Sequence, residues 1–140
     1  MNAAGRVPEG LVTAQSRHGP AETLARLEES IARRGLTIFA RIDHAAGARA
    51  VGMELRPTTV LIFGSPKSGT PLMQMSASIG LDLPLKLLIR QEANGQTFLA
   101  WDDPTWIARR HGLGEASEPI VAKMQAVIAA IAGDAAGESP

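Results

Sequence analysis

The sequence contains no cysteine, and this absence excludes disulfide bonds, thiolate metal sites and thiol catalysis together. It also lacks an excess of charge, because fourteen basic residues balance fourteen acidic ones. A neutral chain has no long-range field that would gather nucleic acid or anionic lipid. Residues 1–10 carry no apolar stretch, and no segment approaches the ~18 apolar residues needed to span a bilayer. We therefore predict a cytoplasmic protein without a secretory signal, a nucleic-acid partner or a membrane partner.

The chain is long enough for one domain with an ordinary hydrophobic core, since it has 140 residues. A domain of this size buries roughly 70% of the surface of its unfolded chain without cross-links. We predict a flexible N-terminus over residues 1–10, a single domain over residues 11–132 and a flexible tail over residues 133–140. The tail is assigned because its residues are small and polar.

Hydrophobic periodicity predicts a mixture of strands and helices. Strand patterns cover residues 11–16, 36–42 and 58–63. Gly19-Pro20 predicts a helix start, because proline suits the first helical position. Asp43 is predicted to cap a short alanine-rich helix, and Thr70-Pro71 to begin another helix that ends near Ser78.

A hairpin is predicted around Ala93-Asn94-Gly95, between the strand patterns of residues 85–92 and 96–101. Asn-Gly between strands is typical of a two-residue type I′ turn, because both central residues need a positive φ. Such a turn sets Ile89 opposite Ala100.

The predicted register leaves apolar side chains on the sheet face that points away from the core: Leu88, Leu99, Trp101 and Phe39. A sheet covered by helices on one face should be polar on the other. We predict that a second copy of the chain covers this patch and makes a homodimer, because a self-complementary patch needs no other component. The C-terminal helix and a ligand are the alternative covers.

Two helices are predicted after the hairpin. Asp103-Pro104 is predicted to cap and begin the first of them. The second is capped by Ser117 and carries one apolar stripe, which should dock on the core: Ile120, Val121, Met124, Val127, Ile128 and Ile131.

Several segments together resemble one known family: Ile42-Asp43-His44-Ala45-Ala46, Phe63 to Met73, Leu81 to Lys86, Trp101-Asp102-Asp103-Pro104 and Arg110-His111-Gly112-Leu113. In this order and spacing, over residues 11–113, the chain resembles the bacterial and archaeal domain of unknown function 302. The resemblance implies an α+β fold with a curved antiparallel sheet, usually a homodimer, and no particular activity. The family commonly has a tyrosine at the position of Trp101, so a role for that hydroxyl is not carried over. With the C-terminal helix added, we predict a single α+β domain whose mainly antiparallel sheet carries helices on one face.

The segment Gly64–Thr70 is the predicted ligand site. A helix that begins at Thr70 would offer free backbone amides to an anion, and Lys67 would add a cation. The segment departs from the phosphate-loop motif, because Thr70 stands where that motif has lysine. It is also similar to the phosphosulfate-binding loop of sulfotransferases, although the rest of the chain is not. We predict weak binding of a small anion at four residues: Lys67, Ser68, Gly69 and Thr70. A simple turn is the alternative.

The three histidines predict no metal site, because His18, His44 and His111 lie far apart in the sequence. No cofactor is predicted either. His111 is predicted near a helix C-terminus, where the helix dipole stabilises a cation. His44 is the candidate general base of an alternative in which the protein is a small enzyme with Lys67 as electrostatic stabiliser. We favour a homodimeric ligand-binding or interaction domain of unknown function, and a purely structural partner domain is the third possibility.

Overall fold

The computed structural model describes residues 7–137. Its strands are β1 (Leu11–Ser16), β2 (Thr37–Asp43), β3 (Thr58–Gly64), β4 (Leu85–Gln91) and β5 (Thr97–Asp102). Its α-helices are α1 (Pro20–Arg33), α2 (His44–Ala50), α3 (Pro66–Met75), α4 (Pro104–Arg110) and α5 (Glu118–Ala136). Two 3₁₀-helices, Ala77–Leu81 and Glu115–Ser117, precede β4 and α5.

The five strands form one sheet in the order β1-β5-β4-β3-β2, and each neighbouring pair is antiparallel. The first strand therefore lies at one edge, beside the last strand. The backbone amide of Asp103 donates a hydrogen bond of 2.8 Å to the carbonyl of Gly10, which fixes the start of β1 against the start of α4. The predicted α+β fold with an antiparallel sheet is confirmed.

The hydrophobic core lies between one face of the sheet and the helices α1, α3, α4 and α5. Alternate strand residues point into it, all of them buried: Leu61, Phe63, Leu85, Leu87, Ile89, Leu99 and Trp101. Leu27 and Ile31 of α1 pack against the same cluster. The predicted stripe of α5 is confirmed, since Val121, Ile128 and Ile131 are buried in the core.

The last helix is longer than predicted. It continues past residue 132 to Ala136, and Ala135 and Ala136 are fully buried. The Ser117 hydroxyl donates to the carbonyl of Gly114 and makes no hydrogen bond to the helix, so its predicted capping role is wrong. Residues 1–6 and 138–140 of the predicted flexible ends lie outside the described residues.

By length and composition alone, the stretch Glu115–Ala136 is apolar enough to cross a membrane. In the fold its helix packs against α1, α4 and β1. Ile128 and Ile131 are fully buried there. A core helix of a globular protein needs such buried apolar residues too, so length and composition alone do not identify a membrane span.

The hairpin differs from the predicted one by a single loop residue. The amide of Glu92 donates to the carbonyl of Gln96 at 2.8 Å, which leaves three residues in the loop. Gly95 has φ +87°, as the last residue of a three-residue loop requires. Ile89 consequently lies opposite Leu99 rather than opposite Ala100.

This shift of one residue moves every side chain of β5 to the other face. Leu99 and Trp101 point into the core, where they are 0% and 7% exposed. The predicted surface patch of Leu88, Leu99 and Trp101 is therefore wrong.

A different apolar row crosses the opposite face of the sheet. Its members are cross-strand neighbours on β2, β3, β4 and β5: Ile42, Val60, Leu88 and Ala100. Within residues 7–137 none of the four contributes to the core cluster, although Ala100 is only 6% exposed. We call this set the open-face row. Lys86 and Arg90 flank Leu88 on the same face, because side chains two residues apart on a strand point the same way.

Candidate functional site

The predicted ligand segment is the start of a helix. Ser65 is the N-cap of α3, since its hydroxyl accepts a hydrogen bond of 3.3 Å from the amide of Lys67. Pro66 occupies the first helical position, where its missing N–H does no harm. Thr70 and Pro71 lie inside this helix, so the helix start predicted at Thr70-Pro71 is wrong.

The earlier start removes the free amides on which the anion prediction relied. The amides of Ser68 and Gly69 both donate to the carbonyl of Ser65, at 3.0 and 3.1 Å. Together with the capped amide of Lys67, they leave little unsatisfied polarity at this helix end. An anion at this segment must therefore be held by side chains rather than by the helix N-terminus.

A cavity of about 630 Å³ opens beside this segment, between the C-terminal end of α1, the start of α3 and the middle of α5. It is lined by residues of six neighbouring stretches: Arg34–Leu36, Phe39, Phe63–Thr70, Met73, Leu83–Leu85, and Lys123, Met124 and Val127. The four residues predicted to bind ligand, Lys67, Ser68, Gly69 and Thr70, all lie in this lining. Ligand binding itself stays a prediction.

The walls of the cavity are apolar and its charges have one sign. Apart from three cations, the large side chains are hydrophobic: Leu36, Phe39, Phe63, Met73, Leu83, Pro84, Leu85, Met124 and Val127. Arg34 pairs with Asp134 at 3.3 Å. Lys67 and Lys123 have no carboxylate within 4.0 Å in the part of the chain that the structure describes. These two are among only three lysines in the sequence.

An irregularity in β2 brings Phe39 to the cavity. The pairing of β2 with β3 shifts between Ile38 and Ala40, so that Phe39 is an extra residue in the strand. A β-bulge of this kind redirects the side chain at the insertion. Phe39 is 49% exposed and lines the cavity, whereas strict alternation had placed it on the opposite face. The alternating sequence of residues 36–42 gives no sign of this bulge.

The structure does not bring His44 and Lys67 together. Asp43 caps α2 as predicted, accepting a hydrogen bond of 2.9 Å from the amide of Ala46, and His44 lies exposed at the start of that helix. Asp43 pairs with Thr59, at the start of β3, whereas Lys67 follows the end of β3 at Gly64. A strand rises about 3.3 Å per residue, so roughly 16 Å of sheet separates the two positions. The two-residue catalytic site of the enzyme alternative is therefore not assembled.

A second polar cluster went unnoticed in the sequence. The Nδ1 atom of His111 lies 2.7 Å from the hydroxyl of Ser78, and its Nε2 atom lies 2.5 Å from a carboxylate oxygen of Asp82. Arg110 donates to the same oxygen at 2.7 Å. Partial burial raises the pKa of Asp82, but the hydrogen bond from His111 and the nearby Arg110 outweigh it, so this pKa lies below its usual value.

The position of His111 at the C-terminal end of α4 agrees with the prediction, but its contacts could not be read from the sequence. It is separated from Asp82 by 29 residues and from Ser78 by 33. The ring is 8% exposed, held on both sides by hydrogen bonds. Only the fold brings these groups together, because it places the end of α4 beside the end of the 3₁₀-helix Ala77–Leu81.

Comparison with known proteins assigns the family. The family described as "Domain of unknown function DUF302" matches residues 12–131. The chain belongs to the DUF302 family. A crystal structure of an uncharacterized conserved DUF302 protein from Bacillus stearothermophilus is similar to it, with a TM-score of 0.80 and 24% sequence identity. The match covers 91% of this DUF302 chain and 98% of the other, and it supports the fold alone.

The curated relatives that this DUF302 chain matches are named as ion channels. It is 41% identical over 135 residues to the fluoride-specific ion channel FluC 1 of Brucella suis biovar 1 (strain 1330). It is equally similar to FluC 2 of Brucella melitensis biotype 1. The match covers 96% of this chain but only 53% and 50% of those relatives. The chain thus spans about half the length of the curated relatives that it matches.

Proposed function

We propose that this DUF302 domain binds a small organic anion whose apolar body fills the cavity and whose charge lies near Lys67 and Lys123. The observation that carries the proposal is the combination of hydrophobic walls with two lysines that lack a carboxylate partner among residues 7–137. The volume of about 630 Å³ lies within the range of ordinary small-molecule sites.

The two ends of such a ligand meet different parts of the cavity. Burial of its apolar part gains about 25 cal/mol for each Å² removed from water, which favours an aliphatic or aromatic body against Phe39, Met73 and Met124. A carboxylate at the rim meets the ammonium groups, which are point charges and hold an anion without fixed geometry. Both lysines are exposed, so their attraction is weakened by water and salt. We therefore expect an affinity in the high micromolar to millimolar range.

The lysines themselves provide the measurement. Reductive methylation with ¹³C-formaldehyde gives NMR signals only from Lys67, Lys86, Lys123 and the N-terminus, because the chain has three lysines. On titration with octanoate we expect the signals of Lys67 and Lys123 to shift in a saturable manner. Lys86 lies on the opposite face of the sheet and should stay unmoved. Single Lys→Arg variants assign each signal.

Matched controls separate the two parts of the ligand. Lys67→Met should weaken octanoate binding about twofold to fivefold, since an exposed charge contributes at most ~1 kcal/mol. Lys86→Met should leave the binding unchanged. Sodium fluoride should move none of the signals strongly, because a small hydrated anion gains nothing from apolar walls. Equal shifts at all three lysines, or no shift at high octanoate concentration, would contradict the proposal.

The names of the Brucella relatives suggest where such a domain works. A channel needs membrane-spanning elements, and within residues 7–137 the one helix of sufficient length is packed in the core. We infer that the channel activity named for these relatives belongs to the half of them that this chain does not match. On this inference the DUF302 part is a ligand-binding or interaction domain beside a channel, and the cytoplasm remains its predicted location.

We propose that the protein is a homodimer whose interface is the open-face row. The open-face row lies where a helix-covered sheet should be polar, and its members neighbour each other across four strands. Lys86 lies on the same face as Asp102 of β5, so a two-fold arrangement can bring opposite charges together. We propose that a second copy of the chain covers this row.

Sedimentation of two leucine variants tests the dimer. Leu88→Glu puts a charge in the centre of the open-face row and should convert a dimer to a monomer at about 10 µM protein, because an unpaired charge in an apolar interface is strongly unfavourable. Leu81→Glu is the control, since Leu81 is 76% exposed and lies in a 3₁₀-helix away from the sheet. A monomeric wild type, or a Leu88→Glu protein that still sediments as a dimer, would rule out this interface.

A further inference from the structure

A serine, a histidine and an aspartate form a continuous hydrogen-bonded series at the end of α4. The series runs from the Ser78 hydroxyl to Nδ1 of His111 at 2.7 Å, and from Nε2 of His111 to Asp82 at 2.5 Å. Within the described chain none of the three residues lines the large cavity. The cluster is therefore a separate site, and nothing in the proposed ligand binding depends on it.

We propose that Ser78 is a nucleophile activated by His111, and that this site transfers acyl groups from small carboxylic esters to water. The same arrangement of hydroxyl, imidazole and carboxylate occurs on unrelated folds in different chain orders, so geometry and not sequence position identifies it. In this chain the serine faces Nδ1 and the carboxylate faces Nε2. Either ring nitrogen serves as the base once the other N–H is held by an acceptor.

Exposure is divided among the three residues as such a site requires. Ser78 is exposed and open to a substrate, whereas the His111 side chain is only 8% exposed. The imidazole cannot turn away freely, because hydrogen bonds hold both of its nitrogens. Arg110 fixes Asp82 through a hydrogen bond of 2.7 Å to the oxygen that also faces His111. Asp82 and Arg110 are positioning residues, and Ser78 and His111 are the catalytic residues.

The reaction balances with water as the co-reactant. The Ser78 oxygen attacks the carbonyl carbon of the ester while its proton passes to Nδ1 of His111. The carbon–oxygen bond to the alcohol then breaks, and the leaving alcohol takes that proton, which leaves an acyl group on Ser78. Water attacks the acyl carbon and gives one proton to Nδ1. The bond between the acyl carbon and the Ser78 oxygen then breaks, which releases the carboxylic acid. The proton on Nδ1 returns to the serine oxygen.

Labelling with a fluorophosphonate probe tests the nucleophile directly. We expect one label per chain on Ser78, found by peptide mass spectrometry, and slow hydrolysis of p-nitrophenyl acetate. Ser78→Ala should abolish both. Ser76→Ala is the matched control and should keep both, because the Ser76 hydroxyl lies 3.4 Å from that of Ser78 and makes no hydrogen bond to His111 in the described structure. His111→Gln should slow labelling about 100-fold or more, the range of a lost general base.

A thiol variant tests the same contact without relying on ester turnover. The chain has no cysteine, so Ser78→Cys and Ser76→Cys each introduce a single thiol. Beside His111 the thiol in Ser78→Cys should have a lowered pKa and react with iodoacetamide about tenfold faster than that in Ser76→Cys at pH 7. As the pH is raised, the alkylation rate of Ser78→Cys should reach half of its maximum below pH ~8, earlier than an ordinary thiol does. Equal rates for the two variants, or probe labelling that survives in Ser78→Ala, would overturn the proposal.

Discussion

Replacement of Gly10 by alanine is expected to lower the free energy of unfolding by about 2–5 kcal/mol. Gly10 has φ +79°, a conformation that disfavours an L-residue by roughly 1–2 kcal/mol. An alanine Cβ at this position would also lie 2.3 Å from Cδ2 and 2.5 Å from Cγ of Trp106, far inside van der Waals contact. The indole is rigid, so the backbone or the whole ring must move, which costs a further ~1–3 kcal/mol. Urea unfolding followed by circular dichroism measures the change.

A second glycine isolates the contribution of the indole. Gly95 has φ +87°, and a Cβ built there meets nothing within 4 Å. Gly95→Ala therefore carries the backbone strain alone and should lose only about 1 kcal/mol. The difference between the two variants measures the close approach of β1 to α4. If Gly10→Ala is no less stable than Gly95→Ala, the start of β1 does not pack against Trp106 as the structure shows.

Sequence signals that depend on near neighbours predicted the local structure well. Asp43 and Asp103 cap their helices as expected, because a cap involves only the next two or three amides. Pro20 begins α1, and the apolar stripe of α5 is buried. The same local reasoning does not decide between competing signals. Ser65-Pro66 and Thr70-Pro71 both have the pattern of a capped helix start, and the chain uses the first and continues through the second.

The register of the β4–β5 hairpin shows how one extra loop residue changes a whole strand. Whether Ala93 belongs to the strand or to the loop is a question of one hydrogen bond, the one from Glu92 to Gln96. Because strand side chains alternate, that one bond decides whether Leu99 and Trp101 face the core or the solvent. The sequence favoured the two-residue turn, since Asn94-Gly95 is its usual signal. Of the three residues predicted on the outer face of this hairpin, only Leu88 lies there.

The candidate sites could not be predicted because their members are distant in the chain. The cavity combines Phe39, Lys67, Leu83 and Lys123, which come from a bulge, a helix start, a loop and the last helix. Sequence patterns located Lys67 but gave no reason to connect it with Lys123. The cluster around His111 has the same origin, since its partners come from a 3₁₀-helix and the residue that follows it. Tertiary packing alone creates these neighbourhoods.

Ile128→Ala is expected to destabilise the protein by about 2–4 kcal/mol, because Ile128 is fully buried and truncation leaves a cavity that neighbouring side chains fill only in part. In a domain of this length the loss corresponds to a fall of roughly 10 °C in the melting temperature. Leu81→Ala is the matched control. Its side chain is 76% exposed, so its removal should change stability by less than ~0.5 kcal/mol.

Comparing Ile128→Ala with Leu81→Ala also tests whether α5 is a core helix or a membrane-entering helix. A helix whose apolar residues served to enter a membrane would leave the stability of the lipid-free protein almost unaffected by Ile128→Ala. A helix that completes the core must transmit the loss to the whole domain, because Ile128 belongs to the same cluster as Leu61 and Leu99. We therefore expect a single cooperative transition at a lower urea concentration for Ile128→Ala, in the absence of detergent. Unchanged melting of this variant beside an unchanged Leu81→Ala would show that α5 does not dock on the sheet.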